Sequence, residues 1–194
     1  MKKLAISLGV ILLFLLAINV HAGEPFGAPR HWIAPPNSMA FGKSLDDWVL
    51  VYMGWLNAGA DQDAKIRNVA FLPIIPGPEF EVEVKVGTAL VLPIATWLGE
   101  DESDTLPDAW FGDPLHVFGE LSLNGGPIVE INEDYYVGPT PIEPPLFGAF
   151  VLYQALACVI LPLPAGVHEI VLHSEFVDFG AVFDNSWTIT VKPK

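Results

Sequence analysis

Glu79-Phe80-Glu81-Val82-Glu83-Val84-Lys85-Val86 constrains this chain more than any other stretch. Polar and apolar residues alternate there without a break. A helix would scatter the valines around its circumference. A strand instead gathers Phe80, Val82, Val84 and Val86 on one face and the charged residues on the other, because side chains in a strand repeat every two residues. A half-buried strand needs neighbours, and the resulting sheet needs a second layer over its apolar face.

The rest of the chain supplies both. Asn68–Ile75 is apolar and β-branched and ends at Pro76-Gly77-Pro78. Ala89–Leu98 is an unbroken apolar run, the pattern of a strand buried on both faces. Leu115–Leu123 and Ile128–Ile131 flank Asn124-Gly125-Gly126 and read as a hairpin. Phe147–Leu161, Val167–Val177 and Trp187–Lys192 predict three more strands, with Pro162 to Gly166 and Asp184-Asn185-Ser186 as connectors. Eighteen prolines exclude a mainly helical protein, since proline breaks helix interiors. The expected fold is all-β, mainly an antiparallel β-sandwich or jelly-roll-like arrangement, with one N-terminal amphipathic helix.

That helix is predicted over Leu45–Asn57. Ser44 offers the N-cap, and Asp47 three residues later completes a capping-box pattern. Trp48, Tyr52 and Trp55 fall at i, i+4 and i+7 and line one stripe, widened by Leu45, Val49 and Leu56. Such a face is expected to dock onto the sandwich and close one sheet.

The beginning of the chain carries an address. Lys2 and Lys3 precede the apolar run Leu4–Val20, and Val20-His21-Ala22 puts small residues where a signal peptidase reads them. The expected organisation is a signal peptide over 1–22 cut after Ala22, an extended lead-in over 23–40 and a single β-rich domain over 41–194. The mature protein is then periplasmic or secreted and is not an integral membrane protein. Removing two lysines leaves 7 basic against 23 acidic residues, a formal charge of −16 in place of −14. A surface of that sign repels nucleic acid and anionic membranes. The single cysteine, Cys158, excludes an internal disulfide and reads as a buried hydrophobe within an apolar run.

Candidate chemistry falls into three groups. Glu100, Asp101, Glu102, Asp104 and Asp108 crowd one loop; they read either as oxygen ligands for calcium or as a solvated acidic turn, with Glu130, Asn132 and Asp134 a fainter second cluster. His116 with Glu120, and His173 with Glu175, share strand faces, and imidazole with carboxylate suits a transition metal such as zinc, iron or copper. His168 and His173 are five residues apart and point to opposite faces. Trp110, Tyr135 and Tyr136 sit in polar, Pro/Gly-rich loops and are candidates for ligand contact, a sugar platform above all. There is no nucleophile elbow, phosphate loop or dinucleotide fingerprint. The alternation at Glu79, Glu81 and Glu83 marks a solvated face and not a glycosidase pair.

The stretch from Phe41 to Trp55 resembles the signature Y-G-x-S-x-x-E-W-x-x-x-W-W-x-W of a group of exported, largely bacterial proteins of uncharacterised function. Phe41, Gly42, Ser44, Trp48 and Trp55 coincide with it; Asp47, Tyr52 and Met53 stand where the group has Glu, Trp and Trp. Val84–Ile94 resembles the group's P-A-G-x-x-L-F-F-P-I run, and Pro164–Ile170 its G-x-H-x-I run. The resemblance implies an N-terminal helix followed by a β-sandwich, and no activity or catalytic residues. Three functions stay open at this point. The first is a non-catalytic protein binding a glycan or other envelope component. The second is a metal-dependent secreted enzyme using the His/Glu set, and the third a calcium-stabilised surface or adhesive protein.

Overall fold

A computed structural model of the chain describes residues 31–61, 64–74 and 79–193. The expected signal peptide and the start of the lead-in lie outside the described residues. What is described is mostly β, with two sheets and one α-helix.

Helix α1 (Leu45–Asn57) begins where the sequence directs. Asp47 N donates to Ser44 Oγ at 3.1 Å, and Ser44 N donates to the Asp47 carboxylate at 3.4 Å. Two backbone donors at the helix start are thereby satisfied reciprocally.

Nine strands follow in chain order: β1 (Val69–Phe71), β2 (Glu79–Lys85), β3 (Ala89–Gly99), β4 (Val117–Leu123), β5 (Val129–Glu130), β6 (Tyr136–Leu146), β7 (Phe150–Ile160), β8 (Gly166–Phe176) and β9 (Ala181–Lys192). They form a four-stranded sheet in the order β1-β3-β7-β6 and a five-stranded sheet in the order β2-β9-β8-β4-β5. Pairing is mainly antiparallel; β1 on β3 and β2 on β9 are parallel.

The two sheets share one apolar core in a sandwich-like arrangement. Leu90, Leu92 and Ile94 of β3, with Leu156, Cys158 and Ile160 of β7, join Ile170 and Leu172 of β8 and Trp187 and Ile189 of β9. A second core lies on the other face of the four-stranded sheet. There Ala89 and Val91 of β3 and Tyr153, Ala155, Ala157 and Val159 of β7 pack under Trp48, Tyr52 and Trp55 of α1. Helix α1 is thus a third layer, which explains why β3 and β7 are apolar at consecutive positions. Both of their faces are covered. Cys158 is fully buried in the inner core, and burial pushes its thiol pKa up.

Three expectations need correction. The strand predicted over Asn68–Ile75 is only Val69–Phe71, and Ile75 lies outside the described residues. The segment around Tyr136, read as loop, is the eleven-residue strand β6. Its four prolines at 139, 141, 144 and 145 hid it; they are tolerated because β6 is a sheet edge, with only β7 to pair with, and its ladder to β7 is interrupted between Val137 and Thr140 and between Pro141 and Leu146. Asp184-Asn185-Ser186 is not a turn but the middle of β9, paired with His173, Leu172 and Val171. Polar residues point outward there on alternate positions, and Asn185 is a buried exception.

The sheet margins differ in kind. On the four-stranded sheet they are the three-residue β1 and the proline-bearing β6. On the five-stranded sheet they are β2, with Glu79, Glu81, Glu83 and Lys85 exposed, and the two-residue β5. No helix among the described residues is long and apolar enough to cross a membrane.

Candidate functional site

Pro93 shapes the site. The parallel register Val69↔Ala89, Ala70↔Leu90, Phe71↔Val91 would next let residue 93 donate to the Leu72 carbonyl. Leu72 N does donate to Val91 O at 3.0 Å, but proline has no N–H to return the bond. The orphaned Leu72 carbonyl accepts instead from the Tyr52 hydroxyl of α1 at 3.1 Å. Burial raises the pKa of Tyr52, which keeps this donor protonated. The chain then leaves the sheet, and the Pro73 carbonyl accepts from Trp187 Nε1 of the opposite sheet at 3.1 Å. β1 therefore ends early, and among the described residues no strand pairs with the stretch of β3 beyond Pro93 on that side.

A cavity of about 480 Å³ occupies this gap. Tyr52, Met53 and Leu56 of α1 wall it on the helix side with Leu98 of β3. Ile94, Ala95, Phe176 and Phe183 wall it on the sandwich side. Ile94 and Ala95 both reach the inner core because the register of β3 slips between Pro93 and Ala95, a bulge that adds a residue to one side of the ladder. Phe147 stands at the rim, 64% exposed, with its N–H donating to the side chain of Asn57 at the end of α1 (3.1 Å). Its backbone is left-handed at φ +52°, a strained conformation for a bulky residue. No charged side chain among the described residues lines the cavity.

The aromatic candidates are engaged elsewhere. Trp110 stacks face to face on His116, with ring centroids 4.6 Å apart. Tyr135 donates to the Ala34 carbonyl at 3.3 Å, and Tyr136 donates to Asp108 at 2.6 Å. Gln154, fully buried on β7, donates to Tyr136 and both accepts from and donates to the Leu106 backbone at 2.8 Å. Tyr136, Asp108 and Gln154 thus fasten the acidic loop to the four-stranded sheet.

Within that loop, Asp101 accepts from the N–H and hydroxyl of Ser103, which holds its carboxyl below the usual range. Asp104 accepts from Glu100 N at 3.1 Å. Three of the five carboxylates are therefore hydrogen-bonded within the loop and its anchors, although only Asp104 is half-buried and the other four are exposed. In the second cluster Glu130 pairs with Glu120 across β5 and β4, and Asn132 and Asp134 are exposed in the turn that follows.

The histidine candidates separate into two places. His116 Nδ1 meets Asp178 at 2.7 Å. His173 meets Asp184 through Nδ1 at 2.7 Å and Glu175 through Nε2 at 3.0 Å, with Glu120 in register beside it on β4. His116 lies beside Val177, four residues along the chain from His173, which is about 13 Å in a strand. Among the described residues no group of three or more His, Cys, Asp or Glu side chains is placed to hold a metal ion. His168 is buried between Pro164 O and Asn124, on the face opposite His173.

Asp184 first, and Glu175 after it, hold the pKa of His173 above its ordinary value against the opposing effect of burial. Folding is then favoured by protonation. This stabilisation is fully present below the unfolded value of about 6.5 and disappears as pH rises through the higher folded value. In denaturation series across that range, His173→Gln should remove this pH dependence. Its amplitude should stay below about 1 kcal/mol because the pairs face solvent.

Sequence reasoning missed the cavity residues, although Pro93 following an apolar run was a visible signal that a neighbouring strand would end there. No family model matches the chain and no curated protein matches it, so the functional reading rests on the cavity's own chemistry.

Proposed function

We propose that this chain is an exported, non-catalytic binding protein that holds an apolar component of the cell envelope in the cavity beside β3. The observation that carries the reading is the cavity itself, about 480 Å³ and walled by aliphatic and aromatic side chains. Ligand sites commonly have that size and character. A glycan would strip its hydroxyls of water there without replacing their hydrogen bonds, at a cost of several kcal/mol. The loop aromatics that would suit a sugar are already bonded to the protein. Export rests on the leader composition at residues 1–22, and kinship with the exported group on the Phe41–Trp55 stretch, whose helix supplies one wall. A jelly-roll-like strand course belongs to the same reading.

The test is a neutral apolar dye, N-phenylnaphthylamine, titrated with the mature protein. Saturable fluorescence enhancement with a stoichiometry of one is expected. At a free dye concentration of about a hundred times the dissociation constant, the stability gain should be about 2.7 kcal/mol by mass action. No enhancement at any protein concentration would sink the proposal.

A further inference from the structure

We infer that the cavity's occupant is a single unbranched aliphatic chain with an uncharged head group, bent around the unpaired edge of β3 so that it lies in both apolar cores. This rests on the binding reading above and names its ligand class.

The path follows from which core each wall belongs to. Tyr52 and Met53 belong to the outer core, beneath α1, and Leu56, Ala60 and Leu98 pack against it. Ile94, Ala95 and Phe176 belong to the inner core between the sheets, and Ile74 and Phe183 pack against that one. These cores lie on opposite faces of one sheet. A single cavity reaches both only by passing the edge of β3 where Pro93 has ended the pairing with β1. Any occupant that fills it must turn around a strand backbone. A flexible alkyl chain does so by rotating a few bonds. A rigid fused-ring lipid cannot, and it would be confined to one limb.

The head group follows from charge. Among the described residues, no Lys, Arg or His lines the cavity to neutralise an anion, and no Asp or Glu to neutralise a cation. An ionised head drawn inside would be desolvated without a partner. An anionic head held at the mouth would meet a chain with 23 acidic residues against 9 basic. An alcohol, ester or amide suffers neither penalty.

The experiment displaces bound N-phenylnaphthylamine from the full mature protein with tetradecanol, myristate or cholesterol. Tetradecanol should displace the dye at concentrations at least about tenfold lower than either of the others, a difference of about 1.4 kcal/mol in affinity. Leu56→Trp fills the helix-side limb and Ala95→Leu the sandwich-side limb; each alone should abolish tetradecanol binding while circular dichroism and cooperative melting are retained. If Ala95→Leu does not fold, Phe183→Trp tests the same limb. Loss in only one limb's variants means that the chain occupies a single limb and overturns the inference, as does displacement by cholesterol or myristate in preference to tetradecanol. Those results leave the binding reading standing. Binding of the dye with no displacement by tetradecanol overturns the inference alone, and failure of the wild-type protein to bind the dye overturns both.

Discussion

Trp48→Ala should lower folding stability by roughly 3–5 kcal/mol, the range for truncating a buried large aromatic. The ring is 1% exposed, in the core between α1 and the four-stranded sheet. Its indole N–H also donates to the Ala40 carbonyl at 2.7 Å, which fixes the chain entering the helix. Truncation would leave a void under the helix and an acceptor without its partner, and a folded domain holds only about 5–15 kcal/mol in reserve. Trp55→Ala should be of similar size. That ring packs on Phe71 at 5.4 Å and donates to the Asp61 carbonyl at 2.7 Å. Chemical denaturation gives both values. Trp48→Phe, which keeps most of the volume and loses the hydrogen bond, should cost no more than about 2 kcal/mol. Unchanged stability in the alanine variants, with ligand binding lost, would instead make the stripe a binding surface.

Gly112→Ala should be nearly as damaging for a different reason. Gly112 sits at φ +90°, and an added Cβ would lie 2.2 Å from Glu133 N and 2.6 Å from the carbonyl carbon of Asn132. Those atoms are backbone and cannot rotate aside. The left-handed conformation costs about 1–2 kcal/mol for an L side chain. Forcing the two segments apart adds about 1–3 kcal/mol, as overpacking does elsewhere. Gly87→Ala separates the two contributions: its φ is +89°, yet nothing lies within 4 Å of the new carbon. A loss of about 1–2 kcal/mol is expected there. Equal losses in the two variants would refute the steric part of the argument.

The legible parts of this fold were those where one local rule acted alone. Ser44 and Asp47 specify the start of α1 regardless of what the helix packs on, and the alternation from Glu79 specifies β2. Asn124-Gly125-Gly126 specifies the connection between β4 and β5. The illegible parts depended on a partner. β6 is a strand despite four prolines because only one of its margins must donate hydrogen bonds. β1 stops at Phe71 because of a proline twenty-two residues further on, in the strand beside it. The candidate site was least legible of all, because its walls come from α1, β3, β8, β9 and the β6–β7 turn. Nothing in the spacing of Met53, Ile94, Phe147, Phe176 and Phe183 announces that they meet. Spacing did reveal that His168 and His173 face opposite ways, since strand parity is a local rule.

The margins of the two sheets bear on how this chain meets copies of itself. Another molecule adding edge-on needs a long, flat row of free backbone donors and acceptors to extend. β1 and β5 are too short to template such growth, and β6 withholds four of its donors. β2 is long enough, but two such strands side by side would juxtapose rows of glutamates. The four borders are blunted by three devices (shortness, proline and charge), so no single substitution exposes all of them. A chain with so much β-structure and no disulfide to restrain its unfolded forms is thereby protected against growing edge to edge into polymers.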